Sequence, residues 1–232
     1  MKPKLSTALG LLLLIIVCGM VSCELRDRRT ETFPPPPPAG PRAPRLVGTL
    51  ENIRGAGNAY YQPGNRGPST RAHEGQRVYE GDRIYTGPNT QMTLRLIQGG
   101  YAELAAETDP TPRFLDDLRC LIIDLFLSGT MFVDGNNICV GAQGTVTKQD
   151  SQVVYDLRSS SVQITVISGR AELMRPQILP ISPGFRVDAN SRQVLKGGKP
   201  YPLTRLQVEE AVRFTNWYQR MRPALPGRDV IK

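Results

Sequence analysis

Four cysteines and a single histidine are the residues of this chain that chemistry would use first. Cys18 lies inside an N-terminal apolar run and Cys23 closes it; Cys120 precedes Leu121-Ile122-Ile123, and Cys139 stands between Ile138 and Val140. If the first two are taken up by an export leader and an anchor, Cys120 and Cys139 remain as an even pair, which in an oxidising compartment points to a disulfide. Closing a loop of about 20 residues would stabilise the fold by about 3 kcal/mol. The other reading is two buried free thiols, since both flank apolar residues. Two thiols without a neighbouring ligand set make no zinc site, and neither a metal nor a cofactor is expected. His73 stands alone in a Gly/Pro/Arg-rich loop, where a solvated ring is the simplest reading. Asp116 and Asp117 are adjacent, so on a strand they point to opposite faces, and at a helix start both would serve the dipole. Neither geometry gives the facing carboxylates of glycoside cleavage. No nucleophile elbow, H-E-x-x-H, P-loop or G-x-G-x-x-G spacing occurs in a suitable context, and the chain is expected not to be an enzyme.

The N-terminus instead carries an address. Lys2 and Lys4 precede an apolar run from Leu9 through Val17, which closes at Met20-Val21-Ser22-Cys23. This is the order of parts of an export leader, here residues 1–22. Its last four residues resemble a bacterial lipobox, in which a small residue stands before the cysteine whose sulfur receives a diacylglycerol. Ser22 fits that place, Met20 replaces the usual leucine, and Cys18 is the poorer choice because Val17 precedes it. Lipidation is expected at Cys23. The alternative is an uncleaved anchor, since residues 5–22 come close to the roughly 20 that a spanning helix needs. Arg26, Arg28 and Arg29 follow the run, so charge does not decide its orientation. Both readings hold the bulk of the chain at a membrane of the bacterial envelope, outside the cytoplasm, in the periplasm or at the surface. Residues 23–45 then read as a lipid-anchored linker. Its Pro34–Pro38 run favours polyproline II and makes a stiff spacer of about 15 Å.

The elements that must position any site are strands. From Leu46 to about Val194 the pattern has period two: Met92, Leu94 and Leu96 alternate with Thr93 and Arg95, and Val162, Ile164 and Val166 alternate with Gln163 and Thr165. Gln98-Gly99-Gly100 and Ser168-Gly169 each read as a tight hairpin turn, and each is followed by Ala-Glu-Leu, at 102–104 and 171–173, an echo consistent with two similar hairpins. Asp134-Gly135, between Met131-Phe132-Val133 and Ile138-Cys139-Val140, reads as a third hairpin. No βαβ alternation occurs, so a parallel Rossmann-like sheet is not expected.

Glu80-Gly81-Asp82-Arg83-Ile84-Tyr85-Thr86-Gly87, followed by Thr90–Leu96 and Tyr101-Ala102-Glu103-Leu104, resembles the FecR-type domain, named for the periplasmic ferric-citrate sensor. In that family a Gly-Asp-x-Ile-x-Thr-Gly turn leads into an apolar strand, a glycine turn and another strand. Gly144-Thr145, the Val162–Leu173 segment and Pro183-Gly184 resemble later family elements in the same order, so the resemblance covers about residues 70–195. Thr147 replaces the family's usual aromatic, and 109–120 is longer than its usual connection. The resemblance implies an all-β fold, an antiparallel β-sandwich or roll of short strands, over residues 46–200. It does not carry over an anti-sigma role, because only Met1–Thr7 precede the apolar run.

The last segment, 201–232, changes period. Thr204-Arg205-Leu206-Gln207 reads as a capping box with Leu203 and Val208 as its staple. Val208, Ala211, Phe214, Tyr218 and Met221 then recur along one stripe of an amphipathic helix ending near Pro223. The stripe either packs on the β domain or forms a partner surface with Phe214, Trp217, Tyr218 and Arg220 as anchors. The formal net charge of +8 includes Lys2 and Lys4 of the leader, and the remaining basic residues are scattered without aromatic interleaving. No nucleic-acid role is expected. The sequence thus predicts a non-enzymatic envelope lipoprotein, bound to the membrane through its N-terminal lipid and binding an envelope protein or glycan. The alternative is an envelope signal transducer that acts with a separate regulator.

Overall fold

The period-two segments fold as strands and the C-terminal segment as helix, in a mostly β chain built on one large antiparallel sheet. The computed structural model describes residues 43–115, 120–125, 128–140, 145–158, 161–174, 177–190 and 193–221. The leader, Cys23, the Pro34–Pro38 run, Asp116, Asp117 and Gly144 lie outside these residues. In chain order the strands are β1 (Leu46–Gly55), β2 (Ala59–Gln62), β3 (Thr70–Arg71), β4 (Arg77–Tyr79), β5 (Arg83–Thr86), β6 (Thr90–Leu96), β7 (Tyr101–Leu104) and β8 (Pro110–Leu115). They continue as β9 (Cys120–Leu125), β10 (Gly129–Gly135), β11 (Ile138–Val140), β12 (Thr145–Arg158), β13 (Ser161–Leu173), β14 (Leu179–Ile181), β15 (Phe185–Asn190) and β16 (Tyr201–Pro202). The helices are α1 (Arg205–Val212) and α2 (Asn216–Met221).

The main path of the large sheet runs β16-β15-β13-β12-β10-β7-β6-β1-β4, with β8, β9, β11 and β14 branching from it. β2, β3 and β5 form a separate small sheet. Inward side chains from β1 to β15, including Leu50, Ile84, Leu94, Met131, Tyr155 and Val187, meet in one cluster. The central strands are buried on both faces. Met131 and Val133 of β10 enter that cluster while Phe132, between them, joins a second one; Val154 of β12 and Ile167 of β13 do the same. The uninterrupted apolar runs at 131–133, 153–155 and 166–167 are the sequence mark of such two-sided burial. Leu203, Val208, Val212, Trp217 and Tyr218 cover the second face, so the described part of 201–232 belongs to the same compact unit as the strands.

Three local expectations are corrected. Gln98-Gly99-Gly100 does join β6 to β7 as a hairpin, and Gly100, at φ 79°, has the carbonyl oxygen of Asp134 2.2 Å from where a Cβ would stand. Ser168-Gly169, by contrast, is no turn but the interior of β13. Val162–Ser168 and Arg170–Glu172 both pair with β12, and the ladder shifts register between Lys148 and Gln152, where Asp150 takes a positive φ of 46° against 72° at Gly169. Two irregularities facing each other let both strands bend together, the usual work of a bulge.

Asp134-Gly135 is likewise no hairpin. β10 and β11 do not pair with each other; both pair with β12, one after the other. The strand is interrupted at Asn136-Asn137, where Asn137 has φ 53° and the Asn136 amide donates to Asp150 at 2.7 Å. The single expected helix is two. Thr204 and Gln207 form the capping box, but α1 ends at Val212 and the chain restarts at Asn216. Thr215 makes the break: its hydroxyl donates to Val212 O and accepts from Tyr218 N, each at 2.8 Å, so it serves one helix end and starts the next.

Cys120 and Cys139 are joined in a disulfide, with Cα atoms 6.1 Å apart. The reason is the parallel pairing of β9 with β11, which sets Leu121 opposite Ile138 and brings the two cysteines alongside. Both are 2% exposed, so reductant should act only once the fold opens. Replacing both cysteines by alanine is expected to lower the unfolding free energy by about 3 kcal/mol. Urea titration of the oxidised protein against the double variant measures this, and equal midpoints would refute it.

Candidate functional site

The small sheet carries the site. Ala59-Tyr60-Tyr61-Gln62 and Arg83-Ile84-Tyr85-Thr86 pair antiparallel, Tyr60 opposite Tyr85 and Gln62 opposite Arg83. Because strand side chains alternate, these four share one face, while Tyr61, Ile84 and Thr86 turn to the other. The inner face is the foundation: Ile84 and Thr86 are fully buried. The Thr86 hydroxyl donates to Ala105 O at 2.6 Å and accepts from Thr108 N at 2.9 Å, which fixes the segment ending at Asp109 beside Arg83. Tyr61 donates its phenol proton to Asp82 at 2.6 Å; burial first, then Asp82, raises its pKa well above the ordinary phenol range.

Asp82 explains the Gly-Asp element of the sequence. It is 4% exposed, and besides Tyr61 it accepts from Tyr79 N at 2.7 Å and Gly64 N at 2.8 Å. One carboxylate thus ties the turn before β5 to β2 and to the loop after β2. Its neighbours bind the other way: Gly81 N donates to Pro112 O at 2.8 Å, and the Glu80 carboxylate accepts from Phe114 N at 3.0 Å. The turn is therefore a hub that sets β5 against β8.

On the outer face lies an open cleft of about 420 Å³ lined by Tyr60, Gln62, Ser69, Arg83, Tyr85 and Asp109. The two tyrosine rings are 6.3 Å apart between centroids with planes 26° apart, and Tyr60 is 37% exposed. Arg83 donates from Nε to both oxygens of the buried Asp109 carboxylate, at 2.8 and 3.0 Å, and from Nη2 to one of them as well. That pairing raises the pKa of the guanidinium and holds it flat at the cleft wall. The Gln62 amide donates to Gly67 O at 2.8 Å, which orients it. Asp109 is the one carboxylate among the described lining residues, and it is engaged by Arg83. The arrangement is chemically a recognition surface: a paired aromatic platform with held polar groups at its edge.

Of these lining residues Arg83 and Tyr85 fall in the family-like 80–87 segment but none was named as a site residue, although alternation in 59–62 and 83–86 is the signal that finds Tyr60, Gln62, Arg83 and Tyr85. The singled-out residues lie elsewhere. His73 is exposed, with Nδ1 3.0 Å from the backbone oxygen of Glu74. Trp217 and Tyr218, weighed as partner anchors, are each 5% exposed and packed inside the second cluster, with the Trp217 ring 5.3 Å from that of Phe132. Phe214 is half-buried at the edge of that cluster, and the side chain of Arg220 lies outside the described residues. For these aromatic residues the packing alternative is the one observed, because Phe132, Val154 and Ile167 present an apolar face that needs covering.

Among the described residues, no helix is long and apolar enough to cross a membrane and no group of three or more His, Cys, Asp or Glu is placed to hold a metal ion. No protein-family model matches the chain, and no curated protein matches it significantly in sequence.

Proposed function

We propose that this chain is a non-enzymatic lipoprotein of the bacterial cell envelope, held at a membrane through Cys23, whose β domain binds another envelope component. The observation that carries the reading is the exposed Tyr60–Tyr85 face, a built recognition surface whose one lining carboxylate is occupied by an arginine. The leader, the lipobox-like Val21-Ser22-Cys23 and the proline spacer give this surface an address, and a disulfide suits an oxidising compartment. A lipid anchor confines diffusion to the membrane plane and raises the effective concentration of nearby partners. The domain is read as an antiparallel roll of FecR type. The single inward cluster shared by strands from β1 to β15 supports a sheet curled about its core, and the hub role of Gly81-Asp82 gives the family-like turn a physical purpose.

Crosslinking in intact cells, followed by purification through a C-terminal tag and mass spectrometry, tests the reading. An envelope component recovered with the full chain and lost with Cys23→Ala is expected. Equal membrane retention and equal recovery with Cys23→Ala would overturn the anchor, and recovery of nothing from the envelope would overturn the binding role.

A further inference from the structure

The Tyr60–Tyr85 face has a composition that selects a ligand class. Tyr60 leaves part of a large ring in water at 37% exposure, and the half-buried Tyr85 stands opposite it in register with its ring plane 26° away, so the pair offers two adjacent aromatic rings at the cleft. Around it stand groups that both give and take hydrogen bonds: two phenol hydroxyls, the Ser69 hydroxyl, and the Gln62 amide, whose Nε2 is used by Gly67 while Oε1 is its acceptor. A pyranose ring has the matching form, with a C–H face to lay on an aromatic ring and a rim of hydroxyls that are donors and acceptors at once. A proline-rich peptide matches less well. Its backbone offers carbonyl acceptors without N–H groups, so covering the Gln62 carbonyl oxygen and the rim hydroxyls would leave those acceptors without a donor, which is costly.

Charge narrows the class further. Arg71 of β3 is exposed and pairs directly with Tyr60, which places it on the same face at the end of the row Arg71–Tyr60–Tyr85. A cation beside the platform favours a ligand with acidic substituents. We infer that this face is a saccharide-binding site whose ligand is an envelope glycan strand carrying carboxylates: sugar rings stack on Tyr60 and Tyr85, their hydroxyls bond the rim, and an acidic group lies toward Arg71. The inference rests on the envelope-binding reading and gives that same site its ligand class.

The full chain, purified in detergent, is co-sedimented with isolated peptidoglycan sacculi as the acidic glycan probe, and titrated with an N-acetylglucosamine hexamer as the neutral one and a proline decamer as the competing class. Saturable sacculus binding is expected, weakened by salt. Tyr60→Ala and Tyr85→Ala should each weaken it about tenfold or more, in the range of an interface anchor. Tyr60→Phe, which keeps the ring and loses one rim hydroxyl, should weaken it less than Tyr60→Ala, and Arg71→Gln should weaken binding to sacculi more than binding to the neutral hexamer. Tyr60 is exposed enough that its truncation leaves the fold intact, and thermal melts verify this. Sacculus binding unchanged in both alanine variants would overturn the site. Binding of the proline decamer alone, or loss of a crosslinked envelope protein in Tyr60→Ala without any saccharide binding, would overturn the glycan class while leaving the envelope-binding role standing. Absence of any envelope partner in the crosslinking experiment would remove that role instead.

Discussion

Asp82→Ala is expected to lower the unfolding free energy by about 3–5 kcal/mol, the largest effect of any single polar truncation in the small sheet. The ground is the number of donors that lose their acceptor together. Oδ2 receives the Tyr61 phenol at 2.6 Å and Tyr79 N at 2.7 Å, while Oδ1 receives Gly64 N at 2.8 Å. The carboxylate is 4% exposed, so water does not replace it without opening the turn. A donor orphaned away from water costs about 1–3 kcal/mol, and the half-buried Tyr61 and Tyr79 carry most of the loss, because Gly64 is exposed and its N–H can turn to water. Asp82→Asn separates charge from shape. Its single oxygen, set at the Oδ2 position, keeps Tyr61 and Tyr79 but turns an NH₂ toward Gly64 N, so it should fall between wild type and alanine. Tyr61→Phe, which removes one of the three bonds, should cost least. Urea titrations of the three variants give the order; a loss below about 1 kcal/mol for Asp82→Ala would mean that the carboxylate is not the hub described. Because Tyr60 and Gln62 flank Tyr61 on β2, Asp82→Ala should also degrade the recognition face without touching it.

Much of the fold was legible because burial writes itself into alternation. The strands at 90–96 and 161–167 follow from every second residue being apolar, and the capping box at Thr204 follows from side-chain chemistry within four residues. What failed was the choice of partner. Gly169 and Gly135 allow a turn but do not demand one, and whether a glycine reverses the chain or bends it depends on the neighbour strand. Here β12 is long enough to pair with both sides of each break. The Ala-Glu-Leu echo shows the same limit. Glu103 is buried and bonded to the backbone of α2, whereas Glu172 is half-exposed between Val146 and Pro180 on the neighbouring strands, so identical triplets do unlike work. The disulfide was legible as an even pair of cysteines. The Tyr60–Tyr85 face was not, because it is assembled across β2 and β5, 25 residues apart, and only register makes it a face.

Glu103→Ala is expected to release α2 from the sheet while the strands stay folded, and the lone tryptophan reports it. Glu103 of β7 pairs in register with Phe132 of β10, so its side chain rises on the helix-covered face, where it is 4% exposed. Its two oxygens accept from Asn216 N and Trp217 N, the latter at 3.2 Å, which satisfies the first amides of α2 that no helical carbonyl can reach. Hydrogen bonds to a charged acceptor contribute about 1.5–3 kcal/mol each, more than a six-residue helix can replace by its own propensity. Without the carboxylate, α2 is held against the sheet by apolar contact, chiefly Trp217 against Phe132 at 5.3 Å between centroids, while the bonds of Tyr218 to Thr215 and Glu209 still tie it to α1. The emission of Trp217, now 5% exposed, should therefore move to the red and become open to quenching by iodide, while the far-ultraviolet β signal persists. Phe132→Ala should loosen the same helix from the other side, at a cost of about 3–5 kcal/mol because it also empties a core position. Glu103→Gln keeps one acceptor oxygen and should give a partial shift. Unchanged emission in Glu103→Ala would mean that the apolar contact alone seats the helix and that the carboxylate is dispensable to it.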